Sequence, residues 1–151
     1  WDTHGTSPGD DIVNALPNKC KQIDKPMTAL LRDLERRGML DETLVIWGGE
    51  FGRTSMNEAR GGSKYLGRDH HPHCFTIWMS GGGIKRGFNL GSTDELGYNI
   101  TEDRTGLHDL QATILHLLGM NPETFTYPYQ GLNARLIGPS EGPKVMEKAL
   151  A

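Results

Sequence analysis

Residues 43–54 have the sequence TLVIWGGEFGRT, in which an apolar run is followed by a glycine-rich segment. Its first part, residues 43–47, is apolar, β-branched and unbroken, which is typical of a strand buried on both faces in a parallel sheet. Its second part is a glycine-rich turn that carries Glu50 and Arg53. Ligands in open α/β sheets bind outside the carboxyl ends of the strands. The stretch therefore predicts a strand that delivers a carboxylate and a guanidinium to a site.

A helix is predicted just before this strand, over residues 24–37. Its apolar residues recur at helical spacing, which predicts one buried face. Asp24 suits the N-cap, Pro26 fits the first turn where its missing N–H costs nothing, and Gly38 can end the helix. The apolar stripe comprises Ile23, Met27, Leu30, Leu31 and Leu34.

The order of the remaining elements indicates an α/β fold with an incomplete sheet. A long loop over residues 55–72 leads to a second strand at 75–79, and a second helix is expected over 107–118. A short strand is expected near residues 134–137. Because two good strands cannot complete a doubly wound sheet, and because a candidate ligand pair stands at the first residues, we expect the C-terminal part of a longer protein.

Composition excludes several classes of function. The chain has 151 residues, of which 36% are hydrophobic and 23% charged, so full disorder is not expected. A net charge of −3 gives no global basic footprint for nucleic acid. No apolar run approaches the roughly 18 residues of a membrane span. The two cysteines, Cys20 and Cys74, are too few for a disulfide scaffold.

Three polar clusters could carry chemistry: Asp2 with His4, Glu50 with Arg53, and the run from Asp69 to His73. The last is the densest, with three histidines in four residues. Pro72 favours an extended backbone, in which alternate residues share a face. We then expect His70 on one face, opposite the other members of the run, which are Asp69, His71 and His73.

A carboxylate with imidazoles suits Zn²⁺, Mn²⁺ or Fe²⁺, and the Arg53 fork suits phosphate, sulfate or carboxylate. The alternatives are structural. The histidines could bind backbone carbonyls, and Arg53 could form a salt bridge with Glu50 or Asp69.

Several short sequence motifs, taken in their order along the chain, resemble those of a known family. They are WDTHG at residues 1–5, the stretch from residue 40 to 54, GRDHHPHCFTIWMSGGGIKRG, TDELGY and HDLQATILHLLG. Together they resemble the sulfatase-like bacterial family catalogued as domain of unknown function 1501. That family is similar to the alkaline phosphatase superfamily of phosphatases, sulfatases and related enzymes. The resemblance implies a three-layer α/β sandwich, of which residues 1–151 would be the C-terminal portion of one domain.

The resemblance also implies a metal site. Asp2 and His4 match the superfamily's first Asp and His, Glu50 stands where it has Asp, and either His70 or His71 matches a later His. Phe51 departs from the pattern, because the superfamily has a metal-binding histidine there. The superfamily's nucleophile has no counterpart in these residues.

The function implied is metal-dependent hydrolysis of phosphate or sulfate esters. Asp2, His4, Glu50 and His71 would bind a divalent ion (zinc, manganese or calcium), with His70 and His73 as alternates. Arg53 would hold a non-bridging ester oxygen of a small-molecule or glycan substrate. The resemblance suggests an exported, periplasmic protein. The alternative is a binding or accessory protein on a decayed form of the fold, since Phe51 removes an imidazole.

Overall fold

The computed structural model describes residues 2–58, 60–139 and 142–151. Two α-helices are described, α1 at Ala15–Arg36 and α2 at Leu107–Leu117. Eight short strands accompany them: β1 Val45–Trp47, β2 Gly52–Arg53, β3 His70–His71, β4 Trp78–Ser80, β5 Ser92–Thr93, β6 Ile100–Glu102, β7 Thr126–Tyr129 and β8 Leu132–Arg135. Single turns of 3-10 helix lie at Pro8–Asp10, Leu40–Glu42, Arg60–Gly62 and Glu147–Ala149.

Helix α1 begins well before the predicted start. Asp11, rather than Asp24, orders the turn that leads into it: the buried Asp11 side chain accepts hydrogen bonds from Val13 N (2.9 Å) and Asn14 Nδ2 (2.8 Å). The backbone N–H of Ala15 also donates to the Asp11 carbonyl. Pro26 consequently lies inside the helix rather than in its first turn. The predicted N-terminus is therefore wrong, because a proline that suits a first turn can also lie inside a helix, as Pro26 does.

Strands β1 and β4 confirm the two predicted strands but not their predicted environment. They pair antiparallel, with Val45 opposite Ser80 and Trp47 opposite Trp78. Ile46 is 39% exposed, so the prediction of a parallel strand buried on both faces was wrong. An unbroken apolar run does not encode strand direction. Part of the apolar surface of the run lies in the Trp47 ring, which stacks on the Trp78 ring with the ring centres 6.4 Å apart.

All strand pairing in the described ranges is in two-stranded antiparallel ribbons, which pair β1 with β4, β2 with β3, β5 with β6, and β7 with β8. The fold is thus mixed helix and strand, and the three-layer sandwich stays a prediction. The predicted strand near residues 134–137 corresponds to β8, slightly earlier in the chain.

Helix α2 confirms the prediction for residues 107–118 and carries the main buried cluster. Ala112 and Leu115 pack with Ile137, and Met120 lies against them. Asp109 accepts a hydrogen bond from the Gly106 N–H at 2.7 Å, which satisfies one unpaired donor at the helix start. No helix in the described ranges is both long enough and apolar enough to cross a bilayer.

Candidate metal centre

The ribbon of β2 and β3 places Arg53 directly opposite His70. Beside it, Gly52 is opposite His71 and packs so closely that a Cβ there would lie 2.1 Å from the Cys74 carbonyl oxygen. Only glycine fits at that position. The glycine-rich turn after β1 therefore serves to bring the Arg53 strand against the histidine run.

A second close approach brings Asp2 and His4 to the same place. A Cβ on Gly67 would lie 1.9 Å from the His4 carbonyl carbon, so the two loops touch backbone to backbone. The Arg68 N–H donates to the Thr3 carbonyl at 3.0 Å and extends this contact. Gly5 has a φ of +74°, a conformation that glycine adopts without strain. Residues far apart in the sequence thereby share one site.

Asp2 is the centre of the arrangement. Its Oδ1 lies 2.8 Å from His4 Nε2, 2.9 Å from Arg53 Nη1 and 3.0 Å from His70 Nε2. The hydrogen bond with His70, with further help from Arg53 and His4, holds the pKa of the Asp2 carboxyl well below its usual range. Asp2 is thus a carboxylate at any ordinary pH, although its side chain is 63% exposed.

His4 is buried and contacts a carboxylate through each ring nitrogen. Its Nδ1 lies 2.5 Å from Glu58 Oε2, on the side away from Asp2. The hydrogen bond with Glu58 raises the pKa of His4, and the charge of Asp2 adds to the effect. Reciprocally, the pKa of Glu58 is lowered, first by His4 and then by its pairing with Arg60. Without a metal, this favours the doubly protonated imidazolium form of His4.

The loop that carries His4 is held by hydrogen bonds to the Asp10 side chain. The Asp10 side chain accepts hydrogen bonds from the backbone N–H of His4 (2.9 Å) and from the N–H and hydroxyl of Thr6 (3.0 and 2.7 Å). The hydrogen bonds from Thr6 lower the pKa of Asp10, so the loop is fixed by an ionised carboxylate.

The histidine run divides between two environments. The His70 ring faces the site, 5.0 Å from the His4 ring and 5.3 Å from the Phe51 ring. His71 is buried instead, with its Nε2 at 2.7 Å from the Tyr98 carbonyl oxygen and its ring stacked on that tyrosine. The His73 ring meets His71 edge-on at 6.4 Å. The expected alternation of His70 and His71 is present.

The expectation for Asp69 was wrong, because Asp69 does not share the environment of His71. Asp69 lies instead with His4 and Glu58. Its backbone carbonyl accepts a hydrogen bond from Thr54 N, and its own side chain accepts one from the His70 N–H. Asp69 lies outside strand β3, which begins at His70, so the alternation of an extended backbone does not fix its side. Its Oδ1 lies 4.0 Å from Arg60 Nη2, the guanidinium that also pairs with Glu58.

Glu50 pairs with Arg53, with Glu50 Oε1 at 3.0 Å from Arg53 Nη2. The structural alternative considered for Arg53, a salt bridge to Glu50, is therefore present, and Arg53 also bridges to Asp2. Glu58 and Arg60 were missed in the sequence. They lie in a loop without periodicity, and no local signal relates Glu58 to a histidine 54 positions earlier.

Two groups of described residues could hold a metal ion. Asp2, His4 and His70 each offer a ligand atom within 4.8 Å of the others, and His4, Glu58 and Asp69 do the same. One carboxylate with two imidazoles is a donor set that suits zinc or manganese. The first group therefore fits a divalent cation. Glu50, His71 and His73 belong to neither group.

Comparison with known proteins gives the chain a family. The model of a family described as "Protein of unknown function (DUF1501)" matches residues 1–149. The chain belongs to the DUF1501 family. The resemblance noted from the sequence words is confirmed by this match over nearly every residue.

This DUF1501 chain is also similar to curated proteins. The lipoteichoic acid synthase of Staphylococcus saprophyticus is 26% identical over 119 residues, which is 78% of this chain and 17% of that protein. The synthase of Staphylococcus aureus strain USA300 is 25% identical over 117 residues, with the same coverage. The chain thus spans about a sixth of the length of these relatives. The similarity supports a relationship to the alkaline phosphatase and sulfatase superfamily. No solved structure matches the chain significantly.

Proposed function

We propose that this DUF1501 chain holds a divalent metal ion between Asp2, His4 and His70 and takes part in metal-dependent hydrolysis of phosphate or sulfate esters. The observation that carries the proposal is the convergence of these three ligand atoms within 4.8 Å of one another, from loops separated by more than sixty residues. The superfamily relationship supports the same reading of the site. Glu50, His71 and His73 were predicted as ligands too, but their contacts favour the set with His70.

The metal would supply Lewis acidity to an ester oxygen and a lower pKa to an attacking group. Arg53 supplies the other half of oxyanion recognition. Its guanidinium pairs with two carboxylates, Asp2 and Glu50, and these contacts support a role in binding anionic oxygens. Glu50 can hold Arg53 in place while an N–H group of the Arg53 guanidinium donates to a non-bridging ester oxygen.

The substrate class and location belong to the proposal as well. A small-molecule or glycan ester suits an exposed Asp2 and a solvent-reachable Arg53. Export to the periplasm is proposed on the family resemblance. The similar synthases are named for lipoteichoic acid, but they share only about a sixth of their length with this chain, so we propose the ester class rather than that product.

The test is metal analysis of the native protein beside two single variants, His70→Ala and His116→Ala. His116 is an exposed histidine on α2, outside the site, and serves as the matched control. We expect one tightly bound zinc or manganese in the wild type and in His116→Ala, and a loss of that metal in His70→Ala. Metal retained in His70→Ala, or absent from the wild type, would contradict the proposal.

A second candidate function is a metal-binding protein without turnover. Phe51 favours it, because its ring lies 5.3 Å from His70 where the superfamily has an imidazole ligand. Assays with 4-nitrophenyl phosphate, its phosphodiester and 4-nitrophenyl sulfate separate the two. Metal-dependent release of nitrophenol that His70→Ala abolishes supports the hydrolase, whereas stoichiometric metal without release of nitrophenol supports the binding protein.

A further inference from the structure

His4 is shared by the two groups that could hold a metal. Its Nε2 belongs to the group with Asp2 and His70, and its Nδ1 lies 2.5 Å from Glu58 in the other. A neutral imidazole has one nitrogen with a free lone pair and one that carries a proton. His4 can therefore bind an ion through one nitrogen while it donates a hydrogen bond through the other. The two groups are alternatives for the same ring.

The positive charge of Arg60 distinguishes the groups. Arg60 Nε pairs with Glu58, and Arg60 Nη2 lies 4.0 Å from Asp69 Oδ1. Both carboxylates that this guanidinium contacts are members of the second group itself. A cation placed among them would meet a fixed positive charge and would have to displace it.

In the first group, which comprises Asp2, His4 and His70, the neighbouring arginine is placed differently. Arg53 also contacts Asp2, but it has Glu50 outside the group as a second partner, so it can release Asp2 without being left unpaired. Access differs as well. The Asp2 side chain is 63% exposed and that of Glu58 only 15%. An ion from solvent therefore reaches the Asp2 side of His4.

We propose that Glu58 is a positioning residue for the metal centre. It accepts the Nδ1–H of His4 and so directs the Nε2 lone pair toward Asp2 and His70, while Arg60 holds Glu58 in place. Metal-binding histidines commonly donate their other N–H to a carboxylate, which fixes the tautomer and raises the basicity of the ligating nitrogen. The inference rests on the proposed metal site, and it adds the residues that orient the His4 ligand.

The experiment is calorimetric titration of the metal-free native protein with Zn²⁺. Glu58→Gln keeps the shape of the side chain but removes its charge, and Glu58→Asp keeps the charge on a shorter side chain. Glu35→Gln is the matched control, since Glu35 pairs with Arg86 on the surface of α1. We expect zinc affinity to fall about 10- to 100-fold in Glu58→Gln with unchanged stoichiometry. Glu58→Asp should recover part of the loss, and Glu35→Gln should bind as the wild type does.

Nitrogen-15 NMR of the zinc-loaded wild type tests the same point without a variant. The inference requires a protonated Nδ1 and a zinc-bound Nε2 on His4. The reverse assignment would overturn it, as would unchanged affinity in Glu58→Gln. Two bound zinc ions, one of them lost in Glu58→Gln, would make the second group a metal site and overturn it too. A wild type that binds no zinc refutes the proposed function itself, and this result is distinct from the others.

Discussion

At the scale of single residues, neighbouring histidines have separate tasks. The sequence predicts that His70 and His71 face opposite ways, because an extended backbone alternates its side chains. It does not predict which one meets Asp2, since that depends on Gly67 and Gly52 bringing distant loops together. The ligands predicted from the sequence include His71, with His70 as an alternate. The geometry favours His70, because His71 uses its Nε2 on the Tyr98 carbonyl.

His71→Ala tests this division. Removing the buried ring leaves the Tyr98 carbonyl without its donor and opens space between β3 and the tyrosine ring. We expect the free energy of unfolding to fall by about 1–3 kcal/mol, measured by chemical denaturation. Zinc affinity should stay within a few-fold of the wild type. Loss of zinc binding at unchanged stability would instead identify His71 as the ligand.

At the scale of elements, the site depends on contacts between loops more than on regular structure. Gly67→Ala would place a methyl group where the His4 carbonyl now stands. The loops must then separate, so we expect a loss of at least about 1–3 kcal/mol in stability, together with weaker zinc binding.

Gly9→Ala is the control for Gly67→Ala. A Cβ at Gly9 would meet no atom closer than 3.9 Å, and the residue is exposed. Thermal melts and zinc titrations of both variants give the comparison. If Gly67→Ala behaves like Gly9→Ala in both measurements, the close approach of the two loops does not hold the site.

The turn that carries Tyr98 gives a pH-dependent prediction at the same scale. Asp94 accepts hydrogen bonds from Tyr98 N (2.7 Å), Asn99 N (3.0 Å) and Asn99 Nδ2 (2.9 Å). The bond from Tyr98 N, followed by those from Asn99, lowers the pKa of Asp94. A lowered pKa stabilises the folded state fully above the ordinary value near 3.8 and loses that effect as the pH falls through the lowered pKa.

Asp94→Asn should therefore lower the melting temperature at pH 7, with a difference that shrinks as the pH falls below about 4. The matched control is Asp41→Asn, whose side chain is 86% exposed and which we expect to change stability little at any pH. Melting curves of the three proteins between pH 3 and 7 measure this. A difference that stays constant down to pH 3 would show that the ionised carboxylate is not the cause.

At the scale of the whole molecule, predictability follows from how local each signal is. Helix α2 could be predicted because its signals are local: apolar residues recur at helical spacing over 107–118, and Gly119 follows as a helix stop. The start of α1 could not, because Pro26 suits a first turn equally well and the true start depends on the buried side chain of Asp11. Strand direction and the contact of His4 with Glu58 are fixed only by tertiary structure. Most residues of the candidate site could thus be predicted from the sequence, but the residues that they contact could not.

The surface area of the chain leads to a prediction about its stability in isolation. Its accessible surface is 10,598 Å², whereas a folded monomer of this mass exposes about 7,600 Å². The difference is apolar in part, since Leu132 and Leu96 are 72% and 71% exposed. Among the described residues there is one small buried cluster, around Ile137, so little hydrophobic free energy opposes the conformational entropy of unfolding.

We therefore expect the isolated 151-residue chain to be only marginally stable. It should unfold over a broad range of urea concentration and bind a hydrophobic dye before unfolding, because its exposed leucines and tyrosines offer the dye a surface. Zinc should shift this transition upward in proportion to its affinity, since the ion binds only the folded arrangement of Asp2, His4 and His70. A sharp transition at high urea without zinc would show that these few buried contacts suffice, and that the metal centre is built on a fold that needs neither ion nor partner to persist.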